Sequence, residues 1–143
     1  MSSDRFSEKV TTMLTSAGWF PDRTIAEQVE RWADALRAWD GTEISPAGRR
    51  VLLEFGGLHL RSRSKKNLDF NLVPTLAVGE RDRLEAFRSS VSGGLCPLGE
   101  ADEGRCYVCI YDDGTVVLLM DEVYRIADTF DRAVELLAQG TAW

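Results

Sequence analysis

Residues 105–140 read RCYVCIY-DDG-TVVLLM-DEVYRIAD-TFDRAVELLAQG, and their pattern decides the fold. Two apolar runs flank Asp112-Asp113-Gly114, a short-range hairpin signal, because an Asp-Gly pair tolerates the positive φ that a tight turn needs. A polar break follows, and then a helix. Thr129 is placed as its N-cap, where the hydroxyl accepts from a free N–H of the first turn. Phe130, Ala133, Val134 and Leu137 share one helical face, and Gly140 stands where a left-handed C-cap belongs. The expectation is a sheet hairpin with a helix packed on it.

The residues before this stretch supply the remaining elements. Phe6, Val10, Met13, Leu14 and Ala17 recur at helical spacing, with Gly18 as the stop and Trp19-Phe20-Pro21 as an apolar corner. Thr24 and Glu27 have the spacing of a capping box. Behind them Ile25, Val29, Trp32, Leu36 and Trp39 form the core stripe of an amphipathic helix that ends near Asp40-Gly41. Ser45-Pro46 places Ser at N-cap and Pro at N1 of a third helix. Val51, Leu52 and Phe55 face inward there, and Gly56-Gly57 ends it. Leu58 to Arg63 alternates apolar with polar, and Leu68, Phe70 and Leu72 continue the alternation beyond a polar turn, so these runs predict another hairpin. Glu80 to Val91 is expected as a helix with Leu84, Phe87 and Val91 inward. Leu95-Cys96-Pro97-Leu98-Gly99 is expected as an irregular connector. The order predicts one α+β domain, with a mainly antiparallel central sheet flanked by N-terminal helices and a C-terminal helix.

Composition narrows the function classes. The chain has 143 residues, 44% hydrophobic and 28% charged, which suits one globular core. No apolar run approaches the roughly 20 residues of a membrane span. Residues 1–10 carry Asp4 and Glu8 and lack the apolar core of a secretory signal, so a cytoplasmic location is expected. The three cysteines, Cys96, Cys106 and Cys109, are an odd number and do not suggest a disulfide framework. The net charge of −6 disfavours a nucleic-acid binder and suits a basic partner.

No catalytic constellation assembles. His59, the one histidine, lies between Leu58 and Leu60 with no acid partner evident in the sequence around it, and reads as a strand residue. Cys106 and Cys109 are three apart on a strand, so they point to opposite faces and cannot converge on one metal ion. No EF-hand spacing and no glycosidase-like pair stands out, and no cofactor is indicated. Arg61, Arg63, Lys65 and Lys66 form a basic hairpin without the aromatics an RNA-binding edge wants. Between Glu100 and Asp131 nine acidic residues face two arginines. Glu100, Asp102, Glu103, Asp112, Asp113, Asp121 and Glu122 are therefore the candidate partner-binding residues, a carboxylate rim for a basic protein. Trp143 is terminal and has no assigned role.

Five pieces of the chain carry a resemblance. They are Ala17-Gly18-Trp19 with Arg23; Leu53-x-Phe55-Gly56-Gly57-Leu58; Pro97-Leu98-Gly99-Glu100; Asp112-Asp113-Gly114 with its following strand; and Asp128-Thr129-Phe130-Asp131-x-Ala133. In order and spacing the chain resembles the SUKH superfamily, and within it the SUKH-3 group of bacterial immunity proteins. The resemblance implies a non-catalytic cytoplasmic antidote of a polymorphic toxin system, one that binds a cognate toxin domain, often a nuclease or nucleic-acid deaminase. The matching pieces are helix stops, turns and caps, so the resemblance implies no catalytic residue and does not fix the toxin-facing surface. Two other classes stand beside it: a regulatory scaffold of the same superfamily that binds another cellular partner, and an enzyme using carboxylates.

Overall fold

The computed structural model describes residues 5–61, 69–101 and 104–139. Among these, five helices surround a six-stranded antiparallel sheet, the α+β arrangement expected. The helices are α1 (Glu8–Ala17), α2 (Ala26–Asp40), α3 (Pro46–Phe55), α4 (Arg81–Ala86) and α5 (Phe130–Gln139). The strands are β1 (His59–Arg61), β2 (Asp69–Asn71), β3 (Leu95–Ala101), β4 (Cys106–Tyr111), β5 (Val116–Leu119) and β6 (Val123–Ala127), and a 3-10 helix spans Pro74–Ala77. Strand order in space equals order in sequence, so the sheet is a meander.

Local chemistry sets most boundaries. The Ser7 hydroxyl accepts from the Val10 amide at 3.3 Å and starts α1. The Ser45 hydroxyl accepts from the Gly48 amide at 3.1 Å and starts α3 behind Pro46. The Thr129 hydroxyl accepts from the Arg132 amide at 3.2 Å, the N-cap expected of α5. The turn after β4 closes with the Gly114 amide donating to the Tyr111 carbonyl at 2.9 Å, and Gly114 takes φ 98°, which favours glycine. Gly140 and residues 62–68 lie outside the described residues.

Five expectations need correction. The Thr24–Glu27 capping box does not form. The Ile25 amide instead donates to the Leu53 carbonyl at 3.0 Å, which makes Ile25 the N-cap residue of α2, without a side-chain cap. Trp39 is 67% exposed although Val29, Trp32 and Leu36 are buried. The last turn of α2 has run past the core and meets polar groups, with the Asp40 carboxylate accepting from the Gly79 amide at 3.0 Å. The helix expected over 80–91 is only α4, with Leu84 buried and Phe87 partly so, while Val91 is 90% exposed in the loop closed by the Ser89–Gly93 bridge. Residues 95–99 belong to strand β3, whose ladder to β4 shifts register between Pro97 and Gly99. A bulge of that kind lets a strand carry proline and glycine. The polar break after Met120 holds a further strand, β6, at the sheet edge.

The sheet buries both faces unequally. Leu60, Phe70, Leu72, Cys96, Leu98, Val108, Ile110, Val116, Leu118 and Ile126 join the main core with α1, α2, α3 and α5. Cys109, Tyr111, Val117 and Leu119 form a smaller core on the other face with Leu84 of α4. Two covered faces explain why β5 reads as an unbroken apolar run.

The N-terminal third is tied to α3 by side chains that reach its C-terminal end. The Trp19 indole N–H donates to the Glu54 carboxylate at 2.9 Å. Arg23 donates to the Glu54 and Gly56 carbonyls, the second at 2.9 Å, and so satisfies carbonyls that a helix end leaves open. Arg23→Met keeps the aliphatic stem and removes these bonds, so it is expected to cost about 2 kcal/mol, the range of hydrogen bonds to a charged donor. Urea unfolding measures it, and a loss below about 0.5 kcal/mol would contradict the assignment.

Candidate functional site

The meander separates the acidic residues singled out in the sequence. Successive turns of an antiparallel sheet alternate between its ends. Asp112 and Asp113 lie in the β4–β5 turn, whereas Asp121 and Glu122 lie in the β5–β6 turn at the opposite end, where Glu100 also sits near the end of β3. At about 3.3 Å per residue, the length of β4 puts the two ends roughly 20 Å apart. Asp102 and Glu103 are outside the described residues. The described members thus make two groups rather than one rim.

Each group is held by its own hydrogen bonds. At one end the Asp121 carboxylate accepts from the Glu122 amide at 3.0 Å and from the Tyr124 hydroxyl at 3.1 Å. That bond pushes the Tyr124 phenol above its ordinary pKa. Glu100 pairs across the sheet with Tyr107 and Asn71, beside the Glu80–Arg83 ion pair that also acts on Tyr107. At the other end the Asp112 carboxylate accepts from the Gly94 amide at 2.8 Å, and the Asp113 amide donates to the Ser92 carbonyl at 3.1 Å. The turn is thereby fastened to the loop before β3.

The Thr115 amide donates to the Asp113 carboxylate at 2.9 Å and, with further bonds, holds this carboxyl below the usual range. A carboxyl with a depressed folded pKa contributes stability above its unfolded value, near 4, and that contribution is lost as pH falls through the folded value. Asp113→Asn is therefore expected to flatten the decline of melting temperature between about pH 5 and pH 2. Thermal unfolding across that range tests it, and an unchanged slope would count against the contribution.

A cleft opens beside Asp112. Its volume is about 250 Å³, and it lies between the α2–α3 loop, α4 and the start of β3. Gly41 to Glu43 and Ser45 form one wall, Arg81, Leu84, Glu85 and Arg88 another, and Gly94 to Cys96 with Asp112 the floor. Two of its charges are already engaged. Arg81 donates to the Asp40 carbonyl at 3.1 Å. Glu43 pairs with Arg37 at 3.0 Å, and this arginine holds the Glu43 carboxyl below its ordinary pKa. Sequence reasoning missed the cleft because its lining comes from four separate segments of the chain, and of these residues only Asp112 was a partner-binding candidate.

His59 does have an acid partner, contrary to the reading from its sequence neighbours. Its Nε2 lies 2.7 Å from the Asp69 carboxylate, which the β1–β2 ladder brings alongside, and Arg61 approaches Nδ1 at 3.5 Å. No nucleophile meets the ring among the described residues. Cys106 faces the main core and Cys109 the smaller one, as the strand spacing required. Burial pushes the Cys96 and Cys109 thiols above their ordinary pKa, which keeps them protonated. Among the described residues no group of three His, Cys, Asp or Glu side chains is placed to hold a metal ion, and no helix is long and apolar enough to cross a membrane.

Several residues of the motif pieces hold distant parts of the chain together. Trp19 and Arg23 meet Glu54 and Gly56. A Cβ on Gly56 would lie 2.7 Å from the Trp32 ring, and one on Gly99 would overlap the Asn71 carbonyl oxygen. Asp131, the fourth residue of the last piece, pairs with Arg5 at 2.7 Å. No curated protein and no solved structure matches the chain. The family model of the SUKH-3 immunity protein matches residues 6–140, nearly the whole described fold and every motif piece, and the chain therefore belongs to the SUKH-3 immunity protein family, with the toxin-neutralising function that membership carries.

Proposed function

We propose that this protein acts in the cytoplasm as the antidote to a basic toxin domain, a nuclease or a nucleic-acid deaminase, and blocks it by occupying its surface without chemistry of its own. Family membership over residues 6–140 is the observation that carries the reading. The net charge of −6 supports it, since it steers a basic partner towards the protein. The candidate contacts are the acidic groups Asp112 and Asp113 at one end of the sheet, Glu100, Asp121 and Glu122 at the other, and Asp102 and Glu103, which lie outside the described residues.

Co-expression tests the reading. A cognate toxin domain is produced with and without the protein in a sensitive host. Survival only in its presence, together with a complex that co-elutes on size exclusion, is expected. Continued killing with no complex would refute it.

A further inference from the structure

Strand β6 ends the sheet: β5 pairs with one side of it, and no strand among the described residues pairs with the other. In an antiparallel ladder, residue pairs that exchange hydrogen bonds alternate with pairs that do not. The Met120 amide donates to the Glu122 carbonyl at 2.9 Å, the bond nearest the β5–β6 turn. Counting away from it, Leu119–Val123 is a non-bonded pair, Leu118–Tyr124 a bonded one and Val117–Arg125 again non-bonded. The N–H and C=O groups of Val123 and Arg125 therefore point away from β5, and among the described residues they take no other hydrogen bond. Nothing in the burial of the strand closes this edge: Glu122, Tyr124 and Arg125 are exposed and Val123 is half-buried. The register shift at Ile126 ends the regular run, so the open edge is short and centred on Tyr124.

Unpaired main-chain groups in a row select an extended segment, which adds to a sheet as a further strand. The charges select its kind. On and beside β6 stand Asp121, Glu122 and Asp128 against Arg125, and Arg125 pairs with Asp128. Asp121 and Glu122 are left at the head of the strand. Arg105, at the head of β4 two strands away, stands roughly 10 Å off at the spacing of a sheet. The excess beside the open edge is negative and favours a segment with lysine or arginine side chains. The opposite edge, β1, carries Arg61 and no carboxylate of its own. A net charge of −6 opposes a second copy of the chain as the occupant.

We infer that the outer edge of β6 receives an extended, basic segment of the toxin domain as a seventh strand, its main chain bonding to Val123 and Arg125 and a lysine or arginine meeting Asp121 and Glu122. The inference rests on the antidote reading above and adds the surface and the mode of binding. It also separates the two acidic ends, making the Asp121 end the docking face and leaving Asp112 and Asp113 outside it.

The test uses the full chain and the toxin domain against which it protects in co-expression, inactivated by substitution. Amide hydrogen exchange followed by nuclear magnetic resonance reads the edge directly. In the free chain the Val123 and Arg125 amides are expected to exchange fast and the Tyr124 amide, bonded to β5, slowly. In the complex the Val123 and Arg125 amides are expected to slow at least tenfold. Calorimetry then compares two variants at one position. Arg125→Pro removes an outward amide, which an edge strand tolerates, and is expected to weaken binding at least tenfold. Arg125→Ala keeps that amide and is expected to stay within threefold. Circular dichroism checks that both fold, and the exchange result decides alone if the proline variant does not. The pair Asp121→Asn with Glu122→Gln is expected to weaken binding at least threefold and to reduce its dependence on salt. The pair Asp112→Asn with Asp113→Asn is expected to change it less than twofold. A complex in which Val123 and Arg125 exchange as in the free chain, or a folded proline variant that binds as the alanine one does, would overturn the inference and leave the antidote reading intact. No binding by the wild type would overturn the antidote reading and the inference with it. Slowing of these amides with concentration in the free chain would assign the edge to a second copy of the chain, and so also overturn the inference.

Discussion

Phe55→Ala is expected to destabilise the protein by about 3–5 kcal/mol, the range for removing a buried aromatic ring without collapse of the cavity. Phe55 is 2% exposed at the end of α3 and connects two other elements. Its ring lies 4.9 Å from that of Phe130 at the start of α5, and 6.2 Å edge-on from that of Phe6, which in turn meets Trp19 at 5.8 Å. The Arg5 guanidinium sits 5.5 Å from the Phe55 ring centre while pairing with Glu54 and Asp131 at 2.7 Å. Truncation therefore leaves a void where three helices meet, and the rigid sheet below limits its collapse. A domain's whole stability is about 5–15 kcal/mol, so the variant stands near the limit of folding. Phe55→Leu fills most of the volume and is expected to cost less than half as much. Urea unfolding followed by circular dichroism compares the two. A loss under about 1 kcal/mol for the alanine variant would show that the site relaxes freely.

Gly99→Ala is expected to cost about 3 kcal/mol or more, although it adds a single methyl group. The Cβ would overlap the Asn71 carbonyl oxygen and lie 2.8 Å from the Leu72 Cα. Both are backbone atoms of the chain leaving β2, so no side chain can swing away. Among the described residues the β2–β3 ladder has the pairs Phe70–Ala101 and Asn71–Glu100, and the overlap strikes beside them. Gly79→Ala is the control. It occupies a site of positive φ, 95°, as Gly99 does not, and nothing lies within 4 Å of its Cβ. Only the left-handed conformation is strained there, at a cost of about 1–2 kcal/mol. A loss at Gly99 no larger than the loss at Gly79 would show that β2 gives way to the added methyl group at little cost.

The parts of the fold legible in the sequence were those with a local cause. The Asp-Asp-Gly turn, the Ser45-Pro46 start of α3 and the Thr129 cap of α5 each depend on neighbours within a few residues, and each is where the sequence placed it. Elements set by distant packing were harder to read. Strand β3 was hidden because Pro97 and Gly99 break strand alternation, and only the register shift against β4 accommodates them. Trp39 kept the helical rhythm of the core stripe after the core had ended. Thr24 lost the N-cap of α2 because α3, more than 20 positions later, supplies the Leu53 carbonyl that fixes the helix start. The site was least legible. The carboxylates singled out between 100 and 122 are close in sequence, but among the described ones each pass of the meander moves the next group to the other end of the sheet. Asp112 comes near Arg88 because the loop before β3 folds against the β4–β5 turn.

The contact between the first and last helices has a consequence for synthesis. The Ser7 amide donates to the Glu135 carboxylate at 2.8 Å, Arg5 reaches Asp131, and Phe130 closes the aromatic cluster that Phe6 and Phe55 begin. The meander can pair hairpin by hairpin as it leaves the ribosome, since each strand meets the one before it. The helical layer cannot close until its final ten residues have emerged, because they cover the rings contributed by the first. A nascent chain stalled within β6 would carry a nearly complete sheet under an open aromatic cluster. The helical layer thus closes only once α5 has been made, and the aromatic cluster stays open until then.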